Sequence, residues 1–436
     1  MGLNIKSTLP SRSLASLVGV SLSRAPGLST HGSPTPSNVI SIKISELGAK
    51  EAILPCRIRL AFVIDIIGAW NLGGTEKQLA HLVSILDRRL FDPAIFVLQR
   101  TLAAEESNVG CPVILVNQSE RHSRLRGFLN LRSALKAFDP QIVQTFFIDG
   151  TFYGTIAAWL NRVPVVIQSR RNAGHWQKPH HTLALRALNH LVDSFQCNSQ
   201  CVALALQQKE RVPCERISVL PNSIDLTRFS PSSPSGRRDM RVRLGLPADA
   251  PVFASVATLR PVKGLTTVIE SAAHMQKLLP NALFLIVGEG PQRHDLEQLI
   301  RQKGLSDTVR LVGGQQDVLP WLAASDIGLL PSLSESSSNS LLEYMAMGLP
   351  AVVSDIPANR ELVDGEFFPV GNASQLTEKL IHLWRHPSLR SAMAASYREA
   401  AIPFGEASLS QRAQGYYLNL ASKARTMEKH GAYLGA

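Results

Sequence analysis

One feature of this chain constrains its fold more than any other. Short apolar runs, each followed by a turn and a stretch of helical periodicity, recur in two successive sets. The first set of runs covers 58–64, 94–98, 113–116, 142–145 and 165–169, with helical stretches at 75–86, 131–137 and 154–160. The second follows 217–220 and covers 252–256, 284–287, 309–312, 327–330 and 351–354, with helical stretches at 266–276, 293–302, 341–347 and 375–383. Runs without polar alternation are strands buried on both faces, and strands alternating with helices build parallel sheets covered on both sides. Two such units predict an α/β protein with two Rossmann-like sheets facing across a cleft, its ligand held at the carboxyl ends of the strands. The expected boundaries are an extension over 1–56, a first domain over 57–220, a second over 221–405, and a tail over 406–436. A helix at about 408–423 crosses back toward the first domain. The stretch 230–238, rich in Ser, Pro and Arg, reads as a linker or insertion.

Composition matters at three points. With 436 residues, 45% of them hydrophobic, the chain is long enough for two separate cores. A formal charge of +11 suits an anionic partner such as a nucleoside diphosphate or an anionic bilayer; the basic residues are scattered, and no nucleic-acid-binding module is visible. Five cysteines, odd in number and mostly in apolar surroundings, read as free thiols, and the Cys197/Cys201 pair has no second pair at zinc-ligand spacing. Residues 1–45 lack Asp and Glu and are rich in Ser and Pro, which reads as a disordered extension. No apolar run reaches the roughly 20 residues of a spanning helix. Arg121, Arg124, Arg126 and Arg132, interleaved with Leu125, Phe128, Leu129 and Leu131, suit either an anionic membrane surface or a solvated helix flank.

Four motifs carry chemistry. Gly73-Gly74-Thr75, after Asn71-Leu72, forms a tight corner at a helix start, suited equally to a plain strand–turn–helix corner and to an anion site. Arg260-Pro261-Val262-Lys263-Gly264 sets two cations at a strand end, where they can neutralise a diphosphate or stand in solvent. Gly288-Glu289-Gly290 is another glycine corner. The fourth runs from Pro331 to Pro350. Ser338 and Asn339 stand where a helix begins and can hold phosphate oxygens. Glu343, a turn further in, can accept both hydroxyls of a ribose, while Glu335 in the loop can reach sugar hydroxyls.

Residues 331–350 resemble the Glu-x7-Glu signature of the retaining GT-B-fold glycosyltransferases of family 4, and the resemblance extends over roughly 58–383. It implies that Glu343 binds the nucleotide ribose, that Glu335 touches the donor sugar, and that Lys263 and the Gly73-Gly74 corner approach the diphosphate. Pro221-Asn222-Ser223-Ile224-Asp225 matches the interdomain segment of that class. A hexosyl transfer is implied, from a UDP- or GDP-sugar to a glycan or lipid-linked acceptor at the cytoplasmic face of a membrane, with no metal required. Three departures stand out: Thr258 replaces a common arginine, Ser336-Ser337-Ser338 replace Gly-Phe-Pro, and Phe146 stands where many members carry a histidine. Asp149 is the nearest polar residue, suited to orienting the acceptor or to capping the helix after it. Arg170 and Arg171 are candidates for an acidic acceptor or donor phosphate, one of the two sufficing. The competing expectation is a nucleotide-sugar-binding protein that keeps the fold without turnover.

Overall fold

A computed structural model describes residues 57–66, 73–99, 109–116, 124–172, 174 and 179–433. The expected extension, Asn71-Leu72 and Arg121 lie outside these residues. The first sheet holds β1 (Ile58–Ile66), β2 (Phe91–Gln99), β3 (Val113–Leu115), β4 (Ile142–Thr145), β5 (Val165–Arg170), β6 (Ser194–Cys197) and β7 (Ile217–Val219) in the order β3-β2-β1-β4-β5-β6-β7. The second holds β8 (Val252–Val256), β9 (Leu283–Val287), β10 (Val309–Gly313), β11 (Ile327–Leu330), β12 (Ala351–Ser354) and β13 (Glu366–Phe368) in the order β10-β9-β8-β11-β12-β13. Every named pairing is parallel. In both sheets the order reverses beside the first strand, which opens a crevice at the carboxyl ends of the central strands.

Period-two alternation along β1 feeds two cores. Leu60, Phe62 and Ile64 pack with Leu79 and Val83 of the helix Gly74–Ile85 and with Leu409, Ala413 and Tyr417 of the helix Glu406–Tyr433. Ala61 and Val63 face the other way, toward Leu131, Leu135, Ala157 and Phe195. The final helix therefore belongs to the first sheet's core, while the chain between β13 and that helix packs on the second. The chain passes between the sheets twice, side by side: the Ile224 amide donates to the Phe404 carbonyl at 2.9 Å.

One segment corrects the expectation. The second half of the stretch read as a linker or insertion, from residue 234, opens a helix, Pro234–Arg243, whose first turn is capped by the Ser233 hydroxyl. Its buried side chain is Arg241, whose guanidinium meets Asp326 at 2.6 Å and the carbonyls of Ala324, Ala248 and Ala250. A helix that docks through an arginine shows no apolar stripe, so it reads as a linker.

Candidate active site

The loop after β11 leads into the helix Asn339–Met347, every residue of which from Leu341 to Met347 is buried. Ser338 is its N-cap, accepting from the Leu341 amide at 3.3 Å. Tyr344 fixes the helix to the end of β8: its hydroxyl accepts from the Val256 amide at 3.0 Å, and Ser340 donates to the Val256 carbonyl at 2.6 Å. The first-turn amides of this helix have no carbonyl one turn back, and they open into a cavity of about 390 Å3. Glu343, Lys263, Glu335, Arg260, Thr258 and Arg171 all line that cavity.

Glu343 is 8% exposed, and its Oε2 is buried without a hydrogen-bond partner. Burial pushes its carboxyl up to about 7, against the pull of Lys77 and Arg228. A buried, unsatisfied carboxylate oxygen at a cavity wall is costly unless something in the cavity completes it. Lys263 stands across the cavity, its Nζ 2.6 Å from Glu335 Oε1, which also accepts from the Ser332 hydroxyl at 2.7 Å. Gly264 makes this approach possible. It adopts φ 61°, and a β-carbon there would strike the Pro331 carbonyl. Arg260 is exposed at the cavity rim.

The first domain closes over this loop. Asn339 accepts from Asn222 Nδ2 at 2.7 Å and donates to the Gly74 carbonyl at 3.2 Å, so its side chain ties three segments together. Gly74 meets the second domain at this point. Gly73, the N-cap of the helix Gly74–Ile85, is covered by the Glu76 carboxylate, which lies where a β-carbon would stand. Ser336, one of the departures from the family pattern, donates to the Arg171 carbonyl at 2.8 Å and accepts from Asn198 at 3.1 Å. The hydroxyl that replaces a glycine is thus a cross-cleft contact.

The two arginines separate. Arg170 is committed to Glu210 at 2.8 Å, with Gln168 and Asn189 around the same nitrogen. Arg171 points into the cleft, donates to Asn222, and is pulled down to about 10 by burial, with Glu76 opposing the shift. Asp149 is exposed and lines neither cleft cavity, and its side chain does not cap the following turn, Gly150–Gly154. Asp65, unmarked in the sequence reading, is the carboxylate there. It accepts from the amides of Asp149 (3.0 Å) and Gly150, and burial pushes it up to about 6 although those amides hold it down. Phe146 is in the core against Phe62, and the residue that reaches the cleft is Phe147, at φ 58°. Phe147, Ile148, Phe152, Leu185 and Leu206 form the apolar lining of a second cavity of about 460 Å3 on the first-domain side. The two cavities share Thr75, Arg171 and Arg260. Neither Asp65 nor Glu76 could be singled out from local sequence, because each lies beside an unremarkable turn. His175 lies outside the described residues. Among the described residues, no three His, Cys, Asp or Glu side chains come together to hold a metal ion.

Comparison with known proteins agrees with the two-domain fold. Residues 236–400 match the model of the glycosyl transferases group 1, and residues 72–228 match that of glycosyltransferase family 4. An Escherichia coli UDP-Gal:alpha-D-GlcNAc-diphosphoundecaprenol alpha-1,3-galactosyltransferase is 30% identical over 252 residues, a match covering 56% of this chain and 65% of that enzyme. The chain thus spans just under two-thirds of that relative's length. The Bacillus subtilis protein EpsF is 25% identical over 362 residues, 81% of this chain and 93% of EpsF. The crystal structure of Anabaena HepE with UDP and glucose superposes with a TM-score of 0.74 at 20% identity, covering 83% of this chain and all of HepE. With two parallel sheets across a cleft, a Glu-x7-Glu loop and helix lining it and both halves matched in order, the chain belongs to the GT-B-fold glycosyltransferases of group 1 and family 4.

Proposed function

We propose that the chain moves a hexosyl group from a UDP- or GDP-sugar to a hydroxyl of a glycan or lipid-linked acceptor, with retention of anomeric configuration. The observation that carries this reading is the orphaned Oε2 of Glu343, in the same cavity as Lys263 and the free amides of the helix Asn339–Met347. A nucleoside diphosphate supplies what each lacks: ribose hydroxyls for Glu343, and phosphate oxygens for the lysine and the helix N-terminus. As the sugar–phosphate bond breaks, Lys263, Arg260 and the amides near Ser338 meet the charge on the departing diphosphate. Glu335, held by Lys263 and Ser332, is placed to accept from the donor's sugar hydroxyls. Arg171 at the boundary of the two cavities suits a donor phosphate or an acidic acceptor; Arg170, neutralised by Glu210, supports the wall instead. Asp149 keeps only an indirect part in this scheme, through the backbone amide that Asp65 holds.

A lipid-linked acceptor accords with one surface. The helix Arg124–Phe138 contains no acidic residue and presents Leu125, Leu129, Arg132 and Lys136 to solvent at helical spacing, with Trp159 and Leu160 exposed nearby. Cations beside exposed leucines and a tryptophan suit the inner face of an anionic bilayer. No described helix is long and apolar enough to cross a membrane. Thermal unfolding followed with UDP-, GDP- and ADP-sugars tests the donor assignment: one nucleotide class should raise Tm, and the rise should vanish in Glu343→Ala. No shift with any of them refutes the reading. A nucleotide-dependent shift without nucleotide release from the sugar would favour the alternative, a binding protein without turnover.

A further inference from the structure

Three carboxylates line the first-domain cavity: Asp65, Glu76 and Glu210. Two are occupied. Glu210 accepts from Arg170 and Asn189, and Asp65 accepts from the amides of Asp149 and Gly150. No hydrogen bond or ion pair joins Glu76 to another described residue; its only hydrogen bond is to its own amide.

The position of Glu76 is unusual. It follows Thr75, which lines both cavities, and its carboxylate is influenced by Arg171 and Arg260, the other two residues common to both. It lies in the first turn of the helix Gly74–Ile85, folded back over Gly73 in space that only a glycine leaves free. Burial raises its pKa, and the two guanidiniums oppose the rise without forming an ion pair with it. A carboxylate folded over its helix N-terminus is also a capping arrangement, and capping alone would account for the fold-back. Capping does not account for its place beside the three residues common to both cavities, where among the described residues neither guanidinium forms an ion pair with it.

Sugar transfer requires the acceptor hydroxyl to meet the anomeric carbon where the donor cavity joins the acceptor cavity, within about 3–3.5 Å of it. We infer that the Glu76 carboxylate accepts the hydrogen bond of the acceptor's reacting hydroxyl and aims its oxygen at the donor sugar. The other two carboxylates of the cavity are held by neighbouring groups, and Glu335 and Glu343 belong to the donor. Glu76 orients the hydroxyl and does not keep its proton, which leaves with the diphosphate oxygen as the new glycosidic bond forms and the sugar–phosphate bond breaks. This assignment rests on the transfer reading above.

The test uses the full chain, UDP-glucose and GDP-mannose as donors, and octyl β-D-glycosides of glucose, galactose and N-acetylglucosamine as acceptors, with the wild type measured first. Glu76→Ala should lower kcat/KM for the octyl glycoside at least tenfold, while the Kd for the free nucleotide stays within about threefold. Glu76→Gln, which keeps a hydrogen-bond-accepting oxygen, should recover part of the loss. Two results overturn the assignment: transfer within twofold of wild type in both variants, or loss of nucleotide affinity in step with activity, as a purely capping role would give. A wild type stimulated by none of the glycosides overturns this cavity as the docking place of the hydroxyl. A wild type that binds neither nucleotide overturns the donor reading itself, which keeps the two failures apart.

Discussion

Glu343 sets binding against stability on a single side chain. Its carboxyl is pushed by burial from an ordinary 4.5 up to about 7. Well below pH 4.5 both folded and unfolded chains hold the proton. Between 4.5 and 7 the unfolded chain releases it first, so the folded state loses stability as pH rises, and the loss is complete above 7. Glu343→Gln should therefore unfold later than wild type at pH 8 without nucleotide, by roughly 1–3 kcal/mol, and the difference should shrink toward zero near pH 4.5. The same variant should bind UDP or GDP more weakly at pH 8. Equal stability across that range would show that the carboxylate is not desolvated. Lys263 has the opposite character. Removing it in Lys263→Ala leaves Glu335 without its 2.6 Å partner and, on the proposed donor reading, takes a cation from the diphosphate, so kcat/KM should fall by about tenfold or more. Turnover and donor affinity close to wild type would count against that role. The motif around Glu335 and Glu343 was legible because its geometry is local: a loop, a cap and one turn of helix fix all the relations. Arg170 and Arg171 were not separable. Successive residues at a strand end point to opposite sides, and only the tertiary position of Glu210 decides which of them it takes.

Among the elements, strands buried on both faces announced themselves as unbroken apolar runs. The exceptions are instructive. β6, Ser-Phe-Gln-Cys, carries buried polar side chains: Gln196 donates to the Leu220 carbonyl at 3.0 Å, and Ser194 accepts from the Tyr416 hydroxyl at 2.9 Å. On β4, two strands away, Gln144 is held by Ser169 at 2.6 Å and by the Tyr417 hydroxyl at 2.6 Å. These partners come from segments distant in sequence, so no local pattern signals that a polar strand is core. The helix Pro234–Arg243 escaped notice for the same reason, since its anchor is Arg241. Arg241→Ala would leave Asp326 at 10% side-chain exposure beside the smaller claim of Arg237, and should cost about 3–5 kcal/mol. A surface linker would tolerate the change, so denaturant unfolding of this variant separates the two descriptions. Loss of the cap in Ser338→Ala should cost about 1 kcal/mol and, on the proposed donor reading, weaken nucleotide binding with it, because the same turn carries the amides that reading assigns to phosphate.

At the scale of the molecule, one set of polar contacts between the two domains runs from the second domain to the start of the helix Gln200–Glu210. Glu361, in the second domain's helix Pro357–Leu362, accepts from the amides of Gln200 (2.7 Å) and Cys201 (3.2 Å) at the start of the first domain's helix Gln200–Glu210. A carboxylate at a helix N-terminus is stabilised both by hydrogen bonding and by the helix dipole, here across the cleft. Ser336 joins the same set through Asn198 and the Arg171 carbonyl, directly beside the donor loop. The contacts that join the domains also hold that loop, so weakening them should loosen both. Glu361→Ala removes an exposed side chain and no core contact, so each domain should keep its fold. Small-angle scattering of the nucleotide-free variant should show a larger radius of gyration than wild type, with UDP or GDP restoring much of the difference and the apparent Kd raised about three- to tenfold. Identical scattering profiles and unchanged affinity would mean that the Glu361 contact follows closure without contributing to it. The hinge would then be governed by the crossing of the chain at Ile224 and Phe404 and by the helix Glu406–Tyr433 alone.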